Sequence, residues 1–269
     1  MKKSVKIILI AVCCVFLAVF LVSGFKVYSI LHEYKVAENM YGDLNDKFVT
    51  TPPPSATKAP VKDGETKPEE EKKPNSPINV DFDLLLQQWP DVKGWLYSEG
   101  TIINYPIAQD PNDTDNEKYL YNFLDGTYNG SGTLFIDYRC AGDFSGETTI
   151  IYGHHMNDGS MLASICKYAE QDYYNEHPVM YLNTPGQNYR LDIFSAYITD
   201  ADGSTYTFSF NDRASYESYL DSVTRWSYVD TGVEVTADDK IVIFSTCTYE
   251  YEDARFVLLA KLVPLEPDV

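Results

Sequence analysis

The chain has 269 residues, of which 40 are acidic and 21 basic, and its formal net charge is −19. This excludes nucleic acid as an expected partner, because nucleic-acid phosphates bind basic surfaces. Three of the five cysteines, Cys140, Cys166 and Cys247, lie outside the apolar N-terminal run, and the odd number indicates at least one free thiol. A bridge between Cys140 and Cys166 and two unpaired buried cysteines are both compatible with this number.

The N-terminus carries three lysines ahead of an uncharged, apolar run at 7–25. A bilayer is crossed by about 17 to 25 such residues, and a basic flank keeps the preceding residues in the cytoplasm. We therefore predict a cytoplasmic tail at 1–6, a transmembrane signal anchor at 7–25, and a single-pass cell-membrane protein with its remaining residues outside the cell. A cleaved signal peptide is the alternative, but Leu21-Val22-Ser23-Gly24 matches its cleavage site poorly.

The segment after the anchor changes composition. A short helical pattern at 28–34 gives way to a stretch rich in Pro, Lys and Glu at 51–74. Such a stretch has too few large apolar side chains to offset the entropy of folding. We predict an extended, semi-rigid extracellular spacer at 26–80. The folded domain is then 81–269, and its roughly 190 residues suffice for one hydrophobic core.

The domain is predicted to be mainly β. A short amphipathic helix at 82–89 is followed by segments rich in Val, Ile, Tyr and Phe, which Gly, Asn and Asp separate. Helical spacing of apolar residues predicts two further helices, at 160–174 and at 212–226, the latter capped by Asp212. A barrel or sandwich fits this order better than a parallel sheet. The predicted strands are 94–97, 102–107, 132–137, 148–152, 189–197, 240–246 and 255–263.

Three of these strands end or begin at groups that thiol acyl transfer requires. Cys247 ends one strand, Arg255 opens the next, and His154 follows the strand at 148–152. If the last two strands are antiparallel neighbours, Cys247 and Arg255 are paired, with Cα atoms roughly 5 Å apart. A base or cation favours the thiolate, and an Arg can stabilise an oxyanion. The alternative is a buried Cys and an exposed Arg that merely flank a loop.

His155 directly follows His154, and adjacent residues of an extended segment point in opposite directions. Only one of the two can therefore face Cys247. A metal site built from His154, His155 and Asp158 is a further alternative, but these residues lack any recognised zinc spacing. We predict no metal.

Two motifs surround these residues: Ser245-Thr246-Cys247 with Arg255 downstream, and Tyr152-Gly153-His154-His155-Met156. In these motifs, and in the stretches 89–96, 105–107 and 132–139, the sequence resembles the sortases, the membrane-anchored cysteine transpeptidases of Gram-positive bacteria. The resemblance is to class B and covers 81–269 as well as the anchor and spacer. It implies an eight-stranded sortase-type β-barrel with N-terminal helices and a long helix before the last two strands.

The resemblance also implies a mechanism. Cys247 would attack the Thr carbonyl of a C-terminal sorting signal in a secreted surface protein, and His154 would protonate the leaving amine of the thioester-forming step. Arg255 would bind the carbonyl and the oxyanion with help from the Thr248 N–H. An amine of a lipid II-like peptidoglycan precursor, or of a pilin, would resolve the acyl-enzyme, and no cofactor is implied. The residues expected to contact substrate are Ser245, Thr246, Thr248 and Asn122.

Other functions remain open from the sequence. A pilin-polymerising sortase shares the first half-reaction with a wall-anchoring one. A secreted cysteine hydrolase would release its acyl group to water, although in papain-like enzymes the Cys precedes the His, whereas here His154 precedes Cys247. The 22 tyrosines would also suit a non-enzymatic adhesion module. The loop at 199–210 is expected to shape substrate specificity.

Overall fold

The computed structural model describes residues 3–51 and 76–266. Helix α1, Lys3–Phe48, contains the predicted anchor at 7–25. Within the described residues it is the one helix long and apolar enough to cross a membrane. The chain divides into two compact units, Met1–Gly42 and Asp43–Val269.

The predicted extended spacer at 26–80 differs from the structure at both of its ends. Residues 26–48 continue α1, because no proline interrupts the helix-forming sequence before Pro52. The Pro-rich residues 52–75 lie outside the described residues. Residues 43–51 and 76–80 belong to the second unit, so the folded unit begins well before residue 81.

A short pair of strands joins these two pieces. Strand β1, Val49–Thr50, pairs antiparallel with β2, Asn79–Val80. Phe48 is only 1% exposed, and its ring packs edge-on against Trp89 with centroids 5.5 Å apart. The Asp81 N–H donates to the Phe48 carbonyl over 2.9 Å. The last residues of α1 are therefore an integral part of the second unit.

Eight strands form a closed barrel, which confirms the predicted fold class. Seven of them overlap the predicted strands. The eighth, at 179–183, was not predicted, because Pro178 and Pro185 bracket it and indicate a loop. In order around the barrel the strands are β10 Ala254–Pro264, β8 Tyr189–Asp200, β7 Val179–Asn183, β3 Val92–Tyr97, β4 Asn104–Ala108, β5 Leu134–Ile136, β6 Thr148–Tyr152 and β9 Ile241–Cys247.

Shorter helices lie between the strands along the chain. Helix α2, Phe82–Gln88, begins at the N-cap Asp81. The predicted helix at 160–174 is wrong as one element: the structure has a 3₁₀ helix, Ala163–Ala169, followed by α3, Gln171–Glu176. Met161 has a positive φ of 56° and Glu170 is extended, so neither continues a helix.

The long helix before the last two strands is confirmed. Helix α4, Arg213–Arg225, starts with a capping box in which Asp212 accepts from the Ser215 N–H, as the predicted cap requires. Its apolar face buries Tyr216, Leu220 and Val223. Burial of this face gives α4 the core contact expected of an amphipathic helix.

Strand register brings the motif residues together. Strand β6 runs parallel to β9, with Tyr152 opposite Ser245, and β9 runs antiparallel to β10, with Cys247 directly opposite Arg255. The C-terminal ends of β6 and β9 therefore meet the start of β10. A cleft opens at this meeting point.

Candidate active site

A cleft of about 450 Å³ opens where β6 and β9 end and β10 begins. Cys247, His154 and Arg255 all contribute to its lining. The predicted pairing of Cys247 with Arg255 is confirmed by the strand register. Arg255 Nη1 donates to the Ala254 carbonyl over 3.0 Å, which fixes one side of the guanidinium. The three strand ends thus place a thiol, an imidazole and a guanidinium around one cavity.

His154 is oriented by the segment that precedes β5. Its Nε2 lies 2.7 Å from the Leu120 carbonyl, and its ring packs against Tyr121 with centroids 5.3 Å apart. Because a carbonyl only accepts, Nε2 carries the hydrogen and Nδ1 is the basic nitrogen of the neutral ring. Burial lowers the pKa of His154, partly opposed by the hydrogen bond to Leu120. The neutral ring is therefore the favoured form in this cleft at neutral pH.

His155 points elsewhere, as the alternation of an extended segment predicts. Its Nδ1 lies 2.8 Å from the Cys247 carbonyl, while His154 is the histidine that lines the cleft. Asp158 instead accepts from the Ser160 N–H and hydroxyl. Across residues 3–51 and 76–266, no group of three or more His, Cys, Asp or Glu side chains is arranged to hold a metal ion.

No family model matches the chain. It is 34% identical to sortase B of Listeria monocytogenes over 251 residues, which cover 93% of this chain and 94% of that protein. It is 30% identical to sortase B of Staphylococcus aureus over 188 residues, covering 69% and 76%. The chain belongs to the sortase B family.

Solved sortase B structures have the same fold. The S. aureus sortase B–substrate complex matches with a TM-score of 0.65 at 30% identity, covering 69% of this chain and 85% of that one. Sortase B from B. anthracis in complex with AAEK1 matches with a TM-score of 0.68 at 28% identity, covering 88% and 99%. This chain is accordingly a cysteine transpeptidase with the sortase B barrel.

The predicted substrate residues of this sortase divide into two pairs. Ser245 and Thr246 line the cleft. Ser245 Oγ shares a 2.8 Å hydrogen bond with the Tyr206 hydroxyl, and Thr246 Oγ1 is buried and has no hydrogen-bond partner among the described residues. The cleft wall therefore contains a fixed hydroxyl pair beside a buried hydroxyl.

The other two predicted residues have different partners. The Thr248 N–H, expected to help bind the oxyanion, donates to the Ala254 carbonyl over 3.1 Å because it closes the β9–β10 hairpin. Thr248 Oγ1 donates to Glu250. The Asn122 side chain donates to the Lys118 carbonyl over 2.6 Å, so Leu120 and Tyr121 of the same segment, rather than Asn122, reach the cleft.

Besides Tyr121, two tyrosines of the cleft were not among the predicted site residues. Tyr206 comes from the loop at 199–210, which was expected to shape specificity, and Ala201 of that loop also lines the cleft. Tyr152 lies on β6 and donates to the carboxylate of Asp137 over 3.0 Å. Tyrosine is common in strands and interfaces, so residue type alone did not single these two out.

Asp137 is fully buried behind the cleft wall, and its carboxylate accepts several hydrogen bonds. Its carboxylate accepts from Arg139 Nε at 2.8 Å and Nη2 at 2.7 Å, and from Asn116 Nδ2 at 3.1 Å. Burial raises the pKa of Asp137, but the hydrogen bonds from Arg139 and Tyr152 outweigh it and the net pKa is lowered. Because Asn116 and Tyr152 both line the cleft, this carboxylate supports the cleft wall.

We predict that Asp137→Asn lowers the free energy of unfolding at pH 7 by about 2–4 kcal/mol, because it breaks a buried charge pair whose Arg139 partner is half-exposed. The folded pKa of Asp137 lies below the unfolded value of about 3.9, so this stabilisation is complete above about pH 5 and is lost as the pH falls through the folded pKa. Urea unfolding of the two proteins at pH 7 and near pH 3 measures the difference.

The control for this prediction is Asp143→Asn, which removes an exposed carboxylate that accepts from the Ser145 N–H of its own loop. A change within about 0.5 kcal/mol is expected there. If Asp137→Asn were no more destabilising at pH 7 than this control, Asp137 would not be the support of the cleft wall.

Cys140 and Cys166 are free, so the bridge considered from the sequence is absent. The Cys140 sulfur is buried and accepts from the Ile150 N–H over 3.4 Å. Burial raises the pKa of Cys140 to about 11 and that of Cys166 to about 12. Both are therefore neutral thiols at physiological pH and poor nucleophiles.

Proposed function

We propose that this sortase is a single-pass protein of the cell membrane that cleaves a C-terminal sorting signal after Thr and transfers the surface protein to an amine of a lipid II-like cell-wall precursor. The observation that carries the proposal is the cleft in which Cys247, His154 and Arg255 meet. The apolar run at 7–25 within helix α1, which three lysines precede, supports an anchor with its N-terminus in the cytoplasm and the catalytic unit outside.

The first half-reaction uses the three cleft residues in separate roles. Cys247 gives its thiol proton to Nδ1 of the neutral His154 ring, and the resulting thiolate attacks the Thr carbonyl carbon to form the S–C bond, so that the carbonyl oxygen takes up negative charge. Arg255 donates to that oxygen, without the Thr248 N–H, which already bonds Ala254. Protonated His154 then gives its proton to the nitrogen as the C–N bond breaks. The product is a thioester on Cys247 and a free C-terminal fragment.

The second half-reaction reverses these steps with a new amine. The amine attacks the thioester carbon, the new C–N bond forms, and the C–S bond breaks to regenerate the thiolate. His154, now neutral, accepts the proton that the amine loses. The structures of S. aureus sortase B with a substrate, and of sortase B with a peptide of three glycines, support a peptide donor and an amine acceptor for this chain also.

The proposal is tested by incubating the full chain in detergent micelles with a library of sorting-signal peptides and analysing the protein by mass spectrometry. We expect an acyl adduct on Cys247 that is lost in Cys247→Ala. Addition of a glycine peptide should then convert hydrolysis product into transfer product. Adduct formation without transfer to any amine would support a hydrolase, and transfer only to lysine-containing pilin peptides would support pilus assembly. No adduct from any peptide would refute the proposal.

A further inference from the structure

The backbone hydrogen bonds between β6 and β9 end one bond before Cys247. In this parallel pair the Gly153 N–H donates to the Ser245 carbonyl over 3.2 Å. In a parallel ladder the next bond from the same strand comes two residues later, so the His155 N–H would donate to the Cys247 carbonyl. The chain instead turns away, with a single bridge between His155 and Met161. The Cys247 carbonyl is thus left without its ladder donor.

The side chain of His155 supplies the missing bond. Its Nδ1 lies 2.8 Å from the Cys247 carbonyl oxygen, across 92 residues of sequence. The carbonyl accepts, so Nδ1 is the protonated ring nitrogen. The Cys166 sulfur lies 3.6 Å from the same nitrogen and is its second, weaker contact. The His155 imidazole therefore takes the place of the next backbone donor and bonds the carbonyl of Cys247.

His155 also contacts the loop between β9 and β10. Its ring packs against Tyr249 with centroids 5.4 Å apart and an interplanar angle of 59°. The pKa of Glu250 in this loop is lowered chiefly by the hydrogen bond from Thr248. One ring thus touches both the last residue of β9 and the loop that leads to Arg255.

We propose that His155 is a positioning residue for transpeptidation, which holds the Cys247 backbone and the 248–253 loop so that the thiol is presented to His154 and Arg255. His154 lines the cleft, whereas His155 acts from behind the nucleophile through its main chain. The inference rests on the proposed function, since it assigns His155 a part in the reaction of Cys247. A displacement of about 1 Å in a reacting group can cost 100-fold in rate, so this support is large enough to matter.

Three substitutions in the full chain test this. His155→Asn keeps an amide N–H close to where Nδ1 lies, His155→Gln moves it one bond further, and His155→Ala removes it. We expect Ala and Gln to lower kcat by about 10- to 100-fold with KM within about twofold, and Asn to stay within about threefold of the parent. Cys166→Ala, which removes only the second contact of Nδ1, is the matched control and should keep parental activity.

Two further measurements separate positioning from folding and from the proposed function. The His155→Asn and His155→Gln variants should have similar midpoint temperatures of unfolding. A loss of kcat in the Gln variant alone is then not caused by a loss of fold. The alkylation rate of Cys247, followed by mass spectrometry of its peptide, should fall with Ala and Gln and recover with Asn, even if no sorting peptide is turned over. Equal kcat and alkylation rates in His155→Ala and the parent, or equal impairment of Asn and Gln, would overturn the inference.

Discussion

Replacing Arg255 by lysine should lower kcat for sorting-peptide cleavage by about 100- to 1000-fold, even though the positive charge is kept. The guanidinium is a planar fork, and one of its nitrogens already donates to the Ala254 carbonyl over 3.0 Å. In the proposed reaction, the remaining N–H groups donate to the carbonyl oxygen of the substrate. An ammonium has no such fork and cannot serve both acceptors in the same geometry.

The measurement is steady-state cleavage of a fluorogenic sorting peptide, together with the amount of acyl-enzyme formed in a single turnover. Because the loss concerns the transition state, kcat should fall more than KM rises. Arg225→Lys is the matched control, because Arg225 is exposed at the end of α4 and donates to the backbone carbonyl of Asp221. That variant should keep parental activity. An Arg255→Lys enzyme with more than about a third of parental kcat would show that charge alone suffices.

The pairing of Cys247 with Arg255 could be predicted because it depends on local rules. A short loop between two apolar strands implies a hairpin, and a hairpin fixes which residues face each other. His154 followed from the same kind of argument, since it ends a strand pattern. Helix α4 could also be predicted, because Asp212 is a recognisable N-cap and the apolar residues after it recur at helical spacing.

The remaining parts of the site depend on backbone atoms and on partners distant in sequence. The orientation of His154 comes from the carbonyl of Leu120, and every residue has a carbonyl, so no residue type indicates it. The Thr248 N–H is used by the hairpin itself. Asp137 lies in a stretch that was noted, but its burial depends on Asn116, Arg139 and Tyr152 converging from three segments.

The start of the folded unit, before residue 81, could not be predicted from composition either. It leads to a stability prediction. A protein beginning at residue 43 should have a free energy of unfolding about 3–5 kcal/mol higher than one beginning at residue 81. Removal of Phe48 alone deletes a buried aromatic side chain, a change that typically costs this much. Leu44 and Ile78 are also buried, at 4% and 1% exposure, and are lost in the shorter protein.

Urea unfolding of the two proteins, and of Phe48→Ala in the longer one, measures this difference. Lys47→Ala is the control, because Lys47 is an exposed neighbour whose ammonium packs over the Phe48 ring. A change within about 1 kcal/mol is expected there. Equal stability of the proteins beginning at 43 and at 81 would show that the end of α1 adds nothing to the folded unit.

The pairing of β1 with β2 argues against the predicted role of the Pro-rich segment as a spacer. Thr50 is paired with Asn79, so residues 51–78 connect two neighbouring strands of one unit rather than separating the catalytic unit from α1. Replacing residues 52–75 by a short Gly-Ser link should therefore leave the fold intact. It should raise the free energy of unfolding by about 0.6 kcal/mol for each halving of the connection. A true spacer would show no such gain, because shortening it would not close a smaller loop.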